Sequence, residues 1–329
     1  MIAQLDRLFI RLSKKKTYTR LVSYFFEGRP LTTKGRWINP LVFLVYRVLA
    51  RFKLGCRKVD PVYILGTGRS GTTVLGLTLS MHKDVGFLNE PKALWSFLVE
   101  GEDLIGSYSS TPGSYEIDPD VVDRTLIQRY KNIMSGYMFL SRSRKVVDKY
   151  PELIFRYDLV KKISPSAKLL FLYRNGWDTC HSIDLWSKRL GTASGSEVHD
   201  WWGRNNQKWR ALTELLDKDD ALCRHKEKIK KYNDHRYMAA VEWILSMKKG
   251  MELLDKHPES VLPVKYEDYV SSKAERDRVL GFCGLEPDRT YEYYCEQTLS
   301  PPKRKDEISL PEEIEGEFKF VMGKLGYED

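Results

Sequence analysis

Cysteine is scarce and scattered in this chain. Five occur in 329 residues, at Cys56, Cys180, Cys223, Cys283 and Cys295, an odd number without the short paired spacing that zinc or a redox dithiol needs. A disulfide-stapled scaffold is excluded, and the thiols read as reduced ones in a reducing compartment. Long apolar runs are missing too: the longest, Leu41–Tyr46, stops at Arg47, far short of the ~18 residues that span a bilayer. The opening segment lacks the unbroken apolar stretch of a signal peptide, because Asp6, Arg7, Arg11, Lys14, Lys15 and Lys16 interrupt it. A cytoplasmic location is the expectation. What is present, 42% hydrophobic, 30% charged and 12% aromatic residues, is the composition of a folded globular protein and excludes long disorder.

The net charge of +9 is unevenly placed. Residues 1–60 hold 14 Lys and Arg against 3 Asp and Glu, which leaves the remainder slightly acidic. In that basic segment Ile2, Leu5, Leu8, Phe9 and Leu12 recur at helical spacing with Arg7 and Arg11 between them. The pattern suits peripheral contact of residues 1–55 with an anionic membrane surface, and equally a helix docked on the main body. Residues 1–58 are expected to form a basic, partly amphipathic N-terminal appendage, and residues 59–329 the main domain. Nothing in the pattern points to nucleic acid, and oligomeric state is open.

From Asp60 onward short apolar runs alternate with helical stretches, which predicts an α/β fold with a mainly parallel sheet flanked by helices. Strands are expected at 61–65, 85–88, 145–149, 168–173 and 261–266 and helices at 72–81, 153–163, 177–190, 201–216 and 236–254. Residues 101–120, rich in Gly, Ser and Pro, read as a surface excursion, residues 217–233 as a charged connection, and the tail from Ser300 as a loop with a terminal helix.

The strongest local signal is a buried strand that runs through Gly66-Thr67-Gly68-Arg69-Ser70-Gly71 into a helix opening at Thr72-Thr73. Glycines let backbone N–H groups turn onto an anion, and the helix N-terminus adds its free amides and positive dipole end. Against the nucleotide-triphosphatase pattern G-x-x-x-x-G-K-[ST], Gly66, Gly71 and Thr73 match, but Thr72 stands where the lysine belongs. An ordinary ATP or GTP hydrolase is therefore disfavoured. Arg69 becomes the fixed cation, and Ser70, Thr72 and Thr73 the hydroxyl donors. A glycine turn that serves only strand-to-helix packing is the plainer alternative.

This loop resembles the 5′-phosphosulfate loop of sulfotransferases that use 3′-phosphoadenosine 5′-phosphosulfate (PAPS). The same family carries a strand ending in arginine with a serine eight residues on, and Arg174 and Ser182 fit that spacing. Arg174 at a strand's carboxyl end can fork two N–H groups onto a dianionic phosphate, and Ser182, two turns into the next helix, can add a hydroxyl. The resemblance implies that this pair holds the 3′-phosphate. Gly176 stands where many members have proline, which alters the turn and removes no ligand. The likeness runs from about Pro61 to Leu285. The glycine-rich basic C-terminal loop of the small-molecule branch is absent; Lys303, Arg304 and Lys305 are either its replacement or a solvated charge run.

The segment Glu90-Pro91-Lys92-Ala93-Leu94-Trp95 looks like the Glu-Pro-x-x-Leu-Trp pattern of carbohydrate sulfotransferases, whose glutamate is the proposed base. Glu90 is thus the candidate catalytic base, with partial burial expected to raise its pKa toward neutrality; simple helix capping is the alternative. Lys149, in a Lys-x-Pro element, is expected to bridge acceptor and sulfonate. His82 and His181 lie near the loops in sequence but match no family position. Trp186, Trp201, Trp202 and Trp209 are candidates for an acceptor cleft, with at least two expected in the core. The resemblance implies PAPS as co-substrate, adenosine 3′,5′-bisphosphate as product, a hydroxyl acceptor of carbohydrate type, and no metal. A P-loop kinase with a displaced lysine and a non-catalytic anion- or membrane-binding module are the competing readings.

Overall fold

The five apolar runs become the strands of one parallel sheet in the computed structural model, which describes residues 5–55, 58–194 and 196–327. These are β1 (Val62–Gly66), β2 (Val85–Asn89), β3 (Lys145–Lys149) and β4 (Lys168–Tyr173), followed after a small antiparallel sheet of β5 (Thr192–Ser194), β6 (Glu197–Asp200) and β7 (Gly203–Arg204) by β8 (Val261–Lys265). The main sheet has the order β2-β3-β1-β4-β8. Every neighbour pair is parallel.

All of β1 is buried, which is why its sequence is a continuous apolar run and not an alternation. Its side chains nevertheless part by face: Tyr63 and Leu65 join one core cluster, Val62 and Ile64 the other. Helices Thr72–Met81 and Gly176–Leu190 follow β1 and β4. The chain leaves β1 toward β2 and β3 on one side, and β4 and β8 lie on the other. The sheet therefore has its topological switch point at the carboxyl end of β1, where α/β folds place ligands.

The N-terminal segment is bound into this body. Helices Lys14–Glu27 and Asn39–Arg51 contribute Phe26, Val42, Tyr46 and Leu49 to the larger core cluster. Arg20 donates to the Phe87 carbonyl at 2.6 Å and to Glu27 at 2.7 Å, and Lys16 donates to the Val85 carbonyl. These side chains cover β2, an edge strand whose open backbone groups would otherwise invite pairing with another chain. In the short helix Arg7–Leu12, Phe9 packs against Met81 and Tyr294 with Leu5, Leu8 and Leu12 beside it; Ile2 and Cys56 lie outside the described residues. Among the described residues no helix is long and apolar enough to cross a membrane. Cys180, Cys283 and Cys295 are buried free thiols, and burial pushes the latter two up to about 12.

Three segments depart from the sequence expectations. Residues 101–120 are no surface excursion: Glu102, Asp103, Leu104 and Tyr115 are buried. Arg156 binds Glu102 at 2.9 Å and the Tyr115 carbonyl at 3.0 Å, while Asp103 accepts from the Tyr108 and Ser109 amides. Buried carboxylates and a guanidinium thus satisfy the polar backbone of an irregular segment. The 201–216 helix begins only at Gln207, because residues 201–204 form the β6–β7 hairpin and Asn205 and Asn206, both with positive φ, turn the chain from β7 into the helix. A long helix, Arg124–Leu140, fills a stretch to which no element was assigned.

Candidate active site

The glycine turn keeps its shape through contacts from two distant segments. Gly71 has φ +96°, and a Cβ there would stand 2.2 Å from the ring of Tyr266. At Gly68 a Cβ would stand 2.4 Å from the ring of Trp201, so only glycine fits at either position. Arg69 takes φ +70°, a left-handed conformation that costs a non-glycine residue about 1–3 kcal/mol and turns its side chain into the cleft. Helix Thr72–Met81 then opens at Thr72, with Gly71 in the capping position and no side-chain cap on its first amides.

Gly68, Arg69, Gly71, Thr72 and Thr73 line a cleft of about 370 Å³ together with Glu90, Arg174 and Ser182. Gly66, Thr67 and Ser70 lie behind the lining, and Thr67 Oγ1 and Ser70 Oγ are buried without a protein partner. Arg174 follows directly on β4. Its guanidinium donates to Asp178 at 3.0 Å and lies 4.9 Å from the centroid of Tyr266, while Arg174 Nε has no protein partner. Asn175 caps the next helix by accepting from the Trp177 and Asp178 amides at 3.0 and 3.3 Å, which fixes the helix that carries Ser182. Across the cleft Arg69 Nε donates to Ser182 Oγ at 3.1 Å. The two motifs, more than a hundred residues apart in sequence, converge.

Glu90 sits just beyond β2 with φ +50°, its amide held by the Lys149 carbonyl at 2.7 Å. Its carboxylate accepts from Lys149 Nζ and lies 3.6 Å from Lys92 Nζ. The alternation of charge continues along the floor: Lys92 to Glu152 at 3.1 Å, Glu152 to Lys208 at 3.2 Å, Lys208 to Glu242 at 2.7 Å. Burial works to raise the Glu90 carboxyl, but Lys149 and then Lys92 outweigh it and hold the group below the ordinary carboxylate value. This corrects the expected rise toward neutrality: a partly buried acid goes up only where no cation faces it. Lys149 itself is buried beneath Glu90 and does not line the cleft.

The aromatics divide two and two. Trp202 and Trp209 are buried in the core, whereas Trp186 and Trp201 line the cleft, edge to face at 5.4 Å. Trp201 Nε1 donates to Glu242 at 2.8 Å, and Lys208 Nζ lies 4.5 Å from its ring centroid. His82 and His181 stay out of the cleft, with ring nitrogens on the Glu286 and Asp306 carbonyls. Lys303, Arg304 and Lys305 are exposed and outside the lining, although the Lys305 amide donates to Asp178 at 2.7 Å. Among the described residues no group of three or more His, Cys, Asp or Glu is placed to hold a metal ion.

One wall was not anticipated. Residues 28–33, between the Lys14–Glu27 and Asn39–Arg51 helices, line the cleft, as do His199, Asp200, Gly203 and Arg204 of the small sheet. The local signal for the first was limited to the Gly28-Arg29-Pro30 break between two helical periods.

A parallel sheet with a glycine turn and a second arginine meeting at its switch point defines an α/β protein of the phosphate-loop class. Residues 61–223 match the sequence profile of the sulfotransferase family, and the chain belongs to that family. Among solved structures it is similar to the sulfotransferase domain from the curacin biosynthetic pathway, at 14% identity over 83% of this chain and 99% of that one, TM-score 0.47. Sulfotransferase STF9 from Mycobacterium avium matches at 13% identity over 98% and 96%, TM-score 0.44. Mouse sulfotransferase SULT7A1 complexed with PAP matches at 14% over 78% and 69%, TM-score 0.36. No curated protein matches the sequence at a significant level.

Proposed function

We propose that this protein transfers a sulfuryl group from PAPS to a hydroxyl of a carbohydrate or glycoconjugate and releases adenosine 3′,5′-bisphosphate. The observation that carries this reading is the 3.1 Å bond from Arg69 to Ser182, which joins the glycine turn and the second strand end in one cleft. The donor, when bound, supplies an activated sulfuryl group with a phosphate as its leaving group. Arg69, Thr72, Thr73 and the turn amides would hold the 5′-phosphosulfate, and Arg174 with Ser182 the 3′-phosphate. Buried polar atoms normally have partners, so Arg174 Nε, without a protein partner on a side chain that lines the cleft, fits a ligand rich in oxygen.

Arg69 acts on charge growing at the leaving phosphate, a role worth roughly 3–4 kcal/mol for one well-placed donor. Glu90, ionised at neutral pH, takes the acceptor's proton, and Lys149 on the same carboxylate keeps it oriented. Trp186 and Trp201 offer flat faces with a polar edge, which suit a sugar ring. Thermal unfolding with adenosine 3′,5′-bisphosphate, set against ATP with Mg²⁺, tests the donor. Stabilisation by the bisphosphate is expected, about 2.7 kcal/mol at a hundredfold excess over Kd; stabilisation by ATP alone would transfer the cleft to a kinase.

A further inference from the structure

The Lys14–Glu27 and Asn39–Arg51 helices turn one face into the core and leave the other uncovered. Leu21 and Phe25 stand on the outer face of the first, and Leu41, Leu44 and Val48 on that of the second, all exposed at the spacing of a helical stripe. Phe52 and Trp37 flank the second helix, 61% and 82% exposed. The Tyr18 hydroxyl donates to the Leu140 carbonyl at 3.1 Å and Ser135 to that of Leu54 at 2.6 Å, so both helices border the end of the Arg124–Leu140 helix, where Phe139 is exposed as well. An apolar surface of this extent marks a contact site.

Charge decides what covers it. Lys14, Lys15, Arg47 and Arg51 are exposed on the same two helices. Described residues 5–55 hold two carboxylates, and both are engaged with protein groups. Asp6 accepts from the Phe9 amide and the Tyr294 hydroxyl, and buried Glu27 accepts from Arg20 and the Asn89 amide. An apolar stripe whose own helices expose cations and no carboxylate is suited to the headgroup level of an anionic bilayer, with aliphatic side chains at the acyl boundary and lysine and arginine heads on phosphates.

We propose that the outer face of these two helices docks the protein on the surface of an anionic membrane. The loop between them lines the cleft, so docking sets the cleft close to the lipid headgroups. The proposal does not depend on the chemistry of the cleft. Flotation of the full chain with vesicles of phosphatidylcholine alone, and of equal parts phosphatidylcholine and phosphatidylserine, tests it. Binding to the mixed vesicles only, released by high salt, is expected. The double change Arg47→Gln, Arg51→Gln should lower partition roughly 30-fold. Leu44→Ser with Phe52→Ser, both at exposed positions, should lower it as well, with the unfolding temperature as a control. No flotation with either vesicle, equal flotation with both, or unchanged partition in both variants overturns the proposal. A lipid-free dimer that the Leu44→Ser, Phe52→Ser pair breaks, without flotation, would assign the face to a second copy of this chain instead.

Discussion

The two ends of the cleft handle charge in opposite ways. At the glycine turn, Thr67 Oγ1, Ser70 Oγ and Arg174 Nε are buried without protein partners. At the other end Lys149, Glu90, Lys92, Glu152, Lys208 and Glu242 pair in unbroken alternation. An unsatisfied buried polar atom costs about 1–3 kcal/mol, so Arg174 Nε at the first end suits a ligand, whereas the charged side chains of the second pair with one another. The difference separates affinity from turnover: groups at the turn should govern how tightly the nucleotide binds, and groups along the alternating row should govern what happens to the acceptor.

The largest effect expected is at the paired end. Glu90→Gln keeps an oxygen for Lys149 but removes the base, so kcat should fall by about 10²–10⁴ while stabilisation by adenosine 3′,5′-bisphosphate is unchanged. Normal turnover would remove Glu90 from the mechanism. Arg174→Ala should act in the opposite sense, weakening the bisphosphate by about 1.5–3 kcal/mol, the worth of a hydrogen bond to a charged group; calorimetric titration with undiminished affinity would place the 3′-phosphate elsewhere. The smallest effect is in pH dependence. Glu90 is held below 4.5, so it stays ionised as pH falls toward that value, and its limb of the rate profile lies on the acid side of it. Lys149→Met removes the larger attraction and lets burial prevail, which should move that limb upward and depress rates at about pH 5 relative to pH 7. Parallel profiles for the two proteins would show that Lys149 does not set the protonation of Glu90.

What was legible in the sequence was what local backbone chemistry dictates. The turn from Gly66 to Thr73 declares itself through glycines between a buried strand and a helix, and Arg174 through its place at the end of β4. The Arg124–Leu140 helix was missed although its local signals are present: Asp123 caps it by accepting from the Leu126 amide, and Leu126, Tyr130, Ile133 and Tyr137 keep helical spacing. The wall at 28–33 was not legible, because its place depends on Arg20 reaching the Phe87 carbonyl across the sheet edge, a long-range contact without local signature. The sign of the Glu90 shift escaped for the same reason, since Lys149 reaches it from β3.

Gly68 and Gly71 each lie under a ring supplied from far along the chain, Trp201 and Tyr266. A polypeptide that stopped before residue 190 would contain every amide of the turn and neither of the lids that hold it. During synthesis, therefore, the glycine turn gains its two covering rings only after the chain has passed residue 266.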